Sequence, residues 1–565
     1  TAPAPSPARD RAAPDRARAR PSSPQPVLEV MLGAELASRP RLTVAVTARA
    51  ISARAWKISA LGSARIHELE LEDARGPVPH ASTRDGAALR VALARPPEGA
   101  LAIRYAVEPE QGTPNPALPA GLQLRLDHAR VLASAEETLL LPEDGPPVVE
   151  FALTWSRGAA AGLERVASTL GLPNARGPAR LTALRHAAFL AGALGHAEFR
   201  ATVGADDFAW SGEPSFDLRW SAAETAGARS AVDVYFGADL AKTPRFTALL
   251  AVDVDFAGAA GAQAFPRGDG LYVALNPGAP WDARVRLEVA QALVFRWIGG
   301  RLRLVDLADA PRERGAWFDA GFARAVAREV LVELGTLSAT DYLEELHALL
   351  GERATSPSRA ASLDELARRA GGGDAEALDM LAVRGALYAT RLDAILRARG
   401  GSLQQLLQQL VEEARTQQRA ELPLTALTTR VEQLAGPAEV TAFRRAILEG
   451  DALELPADAL GPCFTPTRRT YTRFVLGFDA TGSWATTPPT IVGLQPDGPA
   501  ARAGLREGER LLSITADPDA PREPAEITVE RDGQSATVRY RPAGPTVRAQ
   551  GWKRRPGADP QQCPP

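Results

Sequence analysis

Between Val27 and about Leu153, apolar and polar residues alternate in short runs, RLTVAVTARA, ALRVALA, GALAIRYAV and GLQLRLDHARVL, separated by Gly and Pro clusters. Alternation with period two puts every second side chain on one face of a strand, and short runs at this spacing predict an antiparallel β-sandwich or barrel. From about 177 to 455 the pattern is mixed. LTALRHAAFLAGAL, RLEVAQALVFRWI, FARAVAREVLVEL and LYATRLDAILRA carry helical spacing, whereas AVDVYFG, FTALLAVDVDF and GLYVALN read as strands. Together they predict an α+β domain whose second half is helical. LQQLLQQLVEEARTQQRAEL reads as a solvated helix with one leucine face. After DALELPADALGPCF the strands return, in RFVLGFD, TIVGLQPDGPAARAGLREGERLLSI, EITVERDG and SATVRYRPAG, with one short helix near 500–503.

The expected organisation is a multidomain α+β chain: a β-sandwich-like domain over 27–176, an α+β domain over 177–455 and a β-rich unit over 456–565. Residues 1–26 are rich in Pro, Ala, Arg and Ser and nearly empty of large apolar side chains, so they cannot bury enough surface to offset the entropy of ordering. They are expected to form a disordered arm.

Composition narrows the partners. At 565 residues with 45% hydrophobic and 24% charged residues, most of the chain is expected to fold. A formal net charge of -3 supplies no basic field to hold a polyanion, so nucleic acid is not an expected partner. The most apolar run, FTALLAVDVDFAGAAGAQAF, is interrupted by Asp253 and Asp255, and no membrane span is expected. A start at Thr1 is compatible with removal of a signal, which would place the protein in the periplasm or outside the cell. The two cysteines, Cys463 and Cys563, either form a bridge tying the tail to the entry of the last domain or remain thiols; their spacing is not a metal pattern.

The order strand, LGFD, strand, then DGPAARAGLREGERLLSI resembles a PDZ domain over roughly 470–545, with Gly508-Glu509 where that family usually has Gly-Asp. The resemblance implies that the loop Leu476-Gly477-Phe478 presents backbone N–H groups to a peptide C-terminal carboxylate, and that the adjacent strand edge accepts the peptide. Leu476 and Phe478 can equally serve as core.

In the middle of the chain, Arg296-Trp297-Ile298-Gly299-Gly300, Trp317-Phe318-Asp319-Ala320-Gly321-Phe322 and RGALYATRLDAILRARGGSLQQLL resemble the glycyl aminopeptidase family, PDZ-containing zinc peptidases of the thermolysin-like superfamily. The resemblance implies a thermolysin-like fold for 177–455 and a site built from His-Glu-x-x-His on one helix and a Glu on the next. Carried over residue by residue, the two His positions fall on Gln291 and Phe295, the catalytic Glu on Ala292 and the third ligand on Ala320. Leu293 and Val294 lie between.

Zinc needs three N or O donors and an open position, and a phenyl ring and a methyl group donate nothing. The carboxylate that would take a proton from attacking water is missing as well. Zinc is therefore expected to be absent. Glu288, one turn before Gln291, and Asp319, beside Ala320, are candidates for displaced ligands in an active peptidase. Leu381 and Ala382 stand near Arg384-Gly385 where the family's tyrosines are expected, removing a further transition-state donor.

His67, His80, His128, His186, His196 and His347 are dispersed rather than at ligand spacing. No G-x-S-x-G elbow or phosphate-binding loop is present. The expectation is a pseudopeptidase that binds a peptide or protein C-terminus, the alternative an aminopeptidase working through Glu288 and Asp319.

Overall fold

The computed structural model of the chain describes residues 25–557, apart from 37–38, 110–114, 116–117, 128–129, 157–162, 164, 173–174, 201–204, 240–242, 244, 253–260, 307–309, 487 and 519. The arm expected over 1–26 lies almost wholly outside the described residues, as do His128 and Cys563.

Alternation becomes strands in the N-terminal region. Arg41–Arg49 buries Leu42, Val44, Val46 and Ala48 and pairs antiparallel with Val27–Glu35 and Leu101–Glu108. These strands lie in a seven-stranded sheet. It shares one core, including Leu28, Val46, Ile103 and Phe151, with Trp56 and Val91 of a four-stranded sheet. A third sheet, of strands 125–127, 130–134, 188–192 and 165–168, contributes Leu132 and Leu190 to a small core with Leu249 and Tyr272 of the central domain.

Two local expectations are corrected. LTALRHAAFLAGAL forms only one short helix, Leu181–Arg185, and then the strand Ala188–Gly192, which pairs with Arg130–Ser134 and Arg165–Ser168. That strand is buried along its whole length, and a continuously apolar run carries no period to separate strand from helix. Arg176–Arg180 also pairs with the preceding β region, at Val148 to Ala152, so that region runs past 176. AVDVYFG, read as a strand, is the end of helix α1 (Leu218–Tyr235), whose first turn is capped by the Asp217 carboxylate accepting from the N–H groups of Arg219 and Trp220.

The central domain is built on a five-stranded sheet ordered 195–200, 205–211, 247–251, 270–275, 262–267, with the middle three strands parallel. Helices α1, α2 (Ala283–Phe295), α3 (Ala323–Glu333), α4 (Ala339–Thr355), α5 (Ala375–Arg397) and α6 (Leu403–Thr416) follow. One large core joins the sheet to these helices and includes Phe464, Tyr471 and Trp552 from the C-terminal region.

Those three residues belong to a long antiparallel ribbon, Phe464–Phe474 with Ala543–Arg554, which docks on α4. A Cβ on Gly351 of α4 would come within 2.8 Å of the Tyr471 ring, so the helix needs glycine there for the ribbon to approach. His347 Nε2 accepts a hydrogen bond from the Trp552 N–H at 3.1 Å. Beyond the ribbon, strands 510–515, 525–531 and 534–540 enclose a separate core around Ile491, Ala500, Leu511, Ile527 and Val529. Among the described residues no helix is long and apolar enough to cross a membrane.

Candidate functional site

Helix α2 opens where the Asp282 carboxylate accepts from the N–H groups of Arg284 and Val285 at 3.0 and 3.1 Å. Val285, Val289 and Leu293 recur at helical spacing and are buried in the central core. Glu288, Gln291 and Phe295 lie on another face and are only half-buried, while Ala292 is buried. Residues three and four apart share a helix face, so this is the stripe that the metal-binding motif would occupy.

Behind α2 the helix is pinned by buried polar groups. Trp297 Nε1 donates to Asp233 Oδ1 at 2.9 Å, and the Trp297 indole stacks on Phe236 with centroids 5.2 Å apart. Arg229 lies 3.1 Å from Asp233 and 3.3 Å from Asp206, and Arg296 lies 3.7 Å from Asp233, all four side chains being almost fully buried. Removing one member would leave a charge buried without its counter-ion, which costs far more than the intact set contributes.

The second wall begins with a π-helical turn, Trp317–Phe322, that runs into α3. It crosses α5 at two glycines. A Cβ on Gly385 would fall 1.6 Å from the Trp317 carbonyl oxygen, and one on Gly321 would fall 2.6 Å from the Ala382 carbonyl oxygen. Backbone cannot yield to either, so both glycines are steric requirements of the crossing. Trp317, Phe318, Phe322, Tyr388 and Phe443 pack ring against ring beside it. Ala320 remains half-buried.

The two alternative ligands part ways. Asp319 is buried and accepts from Arg303 Nε at 3.2 Å; burial pushes its carboxyl up to about 6 against the pull of that guanidinium. It is thus committed to the strand Arg303–Val305. Glu288 faces α3 and α4: burial raises its pKa, the Arg324 charge opposes the shift and Glu345 adds to it.

Arg324, one turn after Ala320, is a residue that motif reading passes over. Its Nε donates to Glu345 at 2.5 Å, and Glu352 lies in the same electrostatic neighbourhood, held up to about 7 chiefly by burial. The available signal was the spacing of Glu345 and Glu352, seven apart on one helix and therefore on one face. The cation beside Glu288 is thus the Arg324 guanidinium.

The side chains at 291, 292, 295 and 320 do not make a zinc donor set: one neutral amide, two methyl groups and a phenyl ring. Among the described residues no three His, Cys, Asp or Glu side chains gather so as to hold a metal ion. The described histidines lie apart. His67 lies 3.0 Å from Glu108, His186 2.8 Å from Glu136 and His196 3.3 Å from Asp207, while His80 pairs with the Val78 carbonyl.

The C-terminal unit holds a pocket of about 670 Å3 lined by Leu476, Gly477, Phe478, the adjoining segment from Gln495 to Pro499 with Arg502, and the end of the ribbon at 473–475 and 543–545. Gly477 has φ +91°, and a Cβ there would come 2.9 Å from the Ala500 nitrogen, so both conformation and packing require glycine. Its carbonyl accepts from the Gln495 N–H at 2.8 Å, and the Leu476 carbonyl accepts from Tyr540 Oη at 2.7 Å. Phe478 is 7% exposed and part of the core; Leu476 packs against that core.

The strand edge expected beside this loop does not form. Phe478 is followed by a single bridge, Asp479 to Val492, and then by helix Ala480–Ala485. Asp479 accepts from the Gly482 N–H at 2.9 Å and its carbonyl from Ser483 Oγ at 2.5 Å, and these local bonds favour a turn over an extended strand. Cys463, at the foot of the ribbon, is buried and disulfide-bonded; Cys563 lies outside the described residues.

No protein-family model matches the chain, and no curated protein does so significantly. Among solved structures the chain is similar to an aminopeptidase N family protein from Idiomarina loihiensis, at 16% identity and a TM-score of 0.66, over 93% of this chain and 98% of that one. It is also similar to an M1 zinc metallopeptidase from Deinococcus radiodurans bound to a Tyr-Ser-Ala substrate, at 18% identity and a TM-score of 0.50, over 76% of this chain and 95% of that one. At these identities the likeness is one of fold. The multidomain α+β architecture, with a β-rich start and a helical later region, is shared with these two structures.

Proposed function

We propose that the chain is a homologue of the PDZ-containing glycyl aminopeptidases that has given up zinc-dependent hydrolysis and works as a peptide- or protein-binding module. One observation carries the reading. Every position that would supply a metal ligand or the general base holds a side chain unable to do so, while the Trp297–Asp233 anchor and the Gly321–Gly385 crossing around those positions are intact. Unselected decay would be expected to spoil such steric requirements along with the ligands. The displaced-ligand alternative is disfavoured by the pairing of Asp319 with Arg303.

The binding role falls to the pocket at Leu476, Gly477 and Phe478, with a peptide C-terminal carboxylate accepted by the loop N–H groups. With no strand after Phe478 to pair with it, the ligand is held by the loop, the 495–502 segment and the end of the ribbon at Phe474 and Gly544. The disulfide at Cys463 favours an oxidising compartment, the periplasm or the exterior.

Metal content and turnover on Gly- and Ala-leading substrates test the first half. A protein free of zinc and without turnover is expected; one equivalent of zinc with chelator-sensitive turnover overturns the reading. Binding of one peptide in free-acid and C-terminally amidated forms tests the second half, with affinity expected for the acid and lost for the amide.

A further inference from the structure

The pocket beside Gly477 carries cationic groups that capture of a terminal carboxylate does not use. Arg473 and Arg502 both line it. Arg473 is already matched, its Nη2 donating to Glu376 of α5 at 3.0 Å. Arg502 is exposed and spends one N–H, from Nη1, on the Asp497 carbonyl at 2.7 Å. Among the described residues no carboxylate lies within ion-pair distance of its guanidinium, and the Asp497 carboxylate, also on the wall, is not paired with it.

Across the pocket, Gly477 and Phe478 are buried, yet among the described residues no acceptor meets the N–H of Leu476, Gly477 or Phe478. Backbone donors that line an open pocket and have no partner within the chain are available to an anionic ligand.

We infer that this pocket selects peptides with an Asp or Glu close to the C-terminus, the terminal carboxylate lying on the 476–478 loop and the acidic side chain on the Arg502 guanidinium. The inference rests on the reading of this unit as the peptide-binding module. Gly477 and Arg502 line the same pocket, so the two recognition points lie within the reach of one short peptide end. A ligand rising about 3.3 Å per residue places an acidic group within the last few residues before its terminus on the guanidinium.

The test uses the full chain and fluorescence anisotropy with eight-residue peptides identical except for Glu, Gln or Lys at each of the three positions before the C-terminal residue. The Glu peptide is expected to bind about tenfold tighter than its Gln counterpart at one of these positions. Arg502→Gln, a change at an exposed site, is expected to erase that difference by bringing the Glu peptide to the affinity of its Gln counterpart, and Arg502→Glu to turn the preference toward Lys. Equal affinity for Glu and Gln peptides, or a preference that survives Arg502→Gln, overturns the inference and leaves peptide binding standing. Failure of every peptide to bind overturns both.

Discussion

The ring of Phe295 lies against Gly299, so closely that a Cβ on Gly299 would stand 2.8 Å from its ring carbons, and Gly299 itself has φ +96°. The phenyl ring is therefore packed against the very turn that ends its helix. Gly299→Ala adds a clash to a backbone conformation that alanine disfavours, and is expected to destabilise the protein by about 2 kcal/mol, lowering the thermal midpoint by several degrees. Because the clash is with the ring, adding Phe295→Ala should recover part of the loss. The four-member cycle checks this, and strict additivity would count against the contact.

A second prediction concerns the donor set. Zinc sites of this type need three protein donors, so Phe295→His or Ala320→Glu alone should leave the protein without stoichiometric zinc. The combination Gln291→His, Phe295→His and Ala320→Glu should bind one equivalent, measured by metal analysis after dialysis. If the triple variant folds and stays zinc-free, the three positions do not converge on one point.

The ribbon's seat on α4 should respond to acid. His347 is buried and neutral, accepting from the Trp552 N–H, and burial, aided by the Arg469 charge, lowers its pKa to about 4. The unfolded chain, with an ordinary value near 6.5, takes up the proton first. The stabilisation is complete above that value and lost as pH falls toward 4, by about 3 kcal/mol at most. Urea titrations from pH 7.5 to 4 should show this loss, and His347→Gln, which keeps an acceptor but not the titration, should show less of it.

Asp319 has the opposite sign. Its carboxyl titrates at about 6 in the fold, above the ordinary carboxylate value near 4, so the folded state holds the proton more tightly. Its contribution is present below pH 4 and lost as pH rises through 6, an effect on the order of 2 kcal/mol. Relative to Asp319→Asn, the natural protein should lose stability between pH 4 and 7 in parallel urea titrations. A difference constant across that range would show that Arg303 fully offsets the burial.

Much of this was legible along the chain. Period-two runs such as Arg41–Arg49 became strands, and the stripe of α2 set Val285, Val289 and Leu293 inside, with Gln291 and Phe295 on a different face. That the side chains at 291, 292, 295 and 320 supply no zinc donor set is a matter of residue type and needed no coordinates. Three misreadings share a cause. Ala188–Gly192, the end of α1 and the segment after Phe478 are short, and their local patterns suit more than one state. Sheet partners, the Arg229–Asp233 ion pair and the bonds around Asp479 decided between those states.

The sequence by itself determined which side chains stand at 291, 292, 295 and 320 and which segments alternate, because side-chain identity and period are local properties. Only the tertiary structure decided that Asp319 belongs to Arg303, that Arg324 stands among Glu288 and Glu345, and that Arg502 lines one pocket with Gly477. Those relations join residues from separate elements, and their distances follow from how helices and strands pack, which no local pattern records.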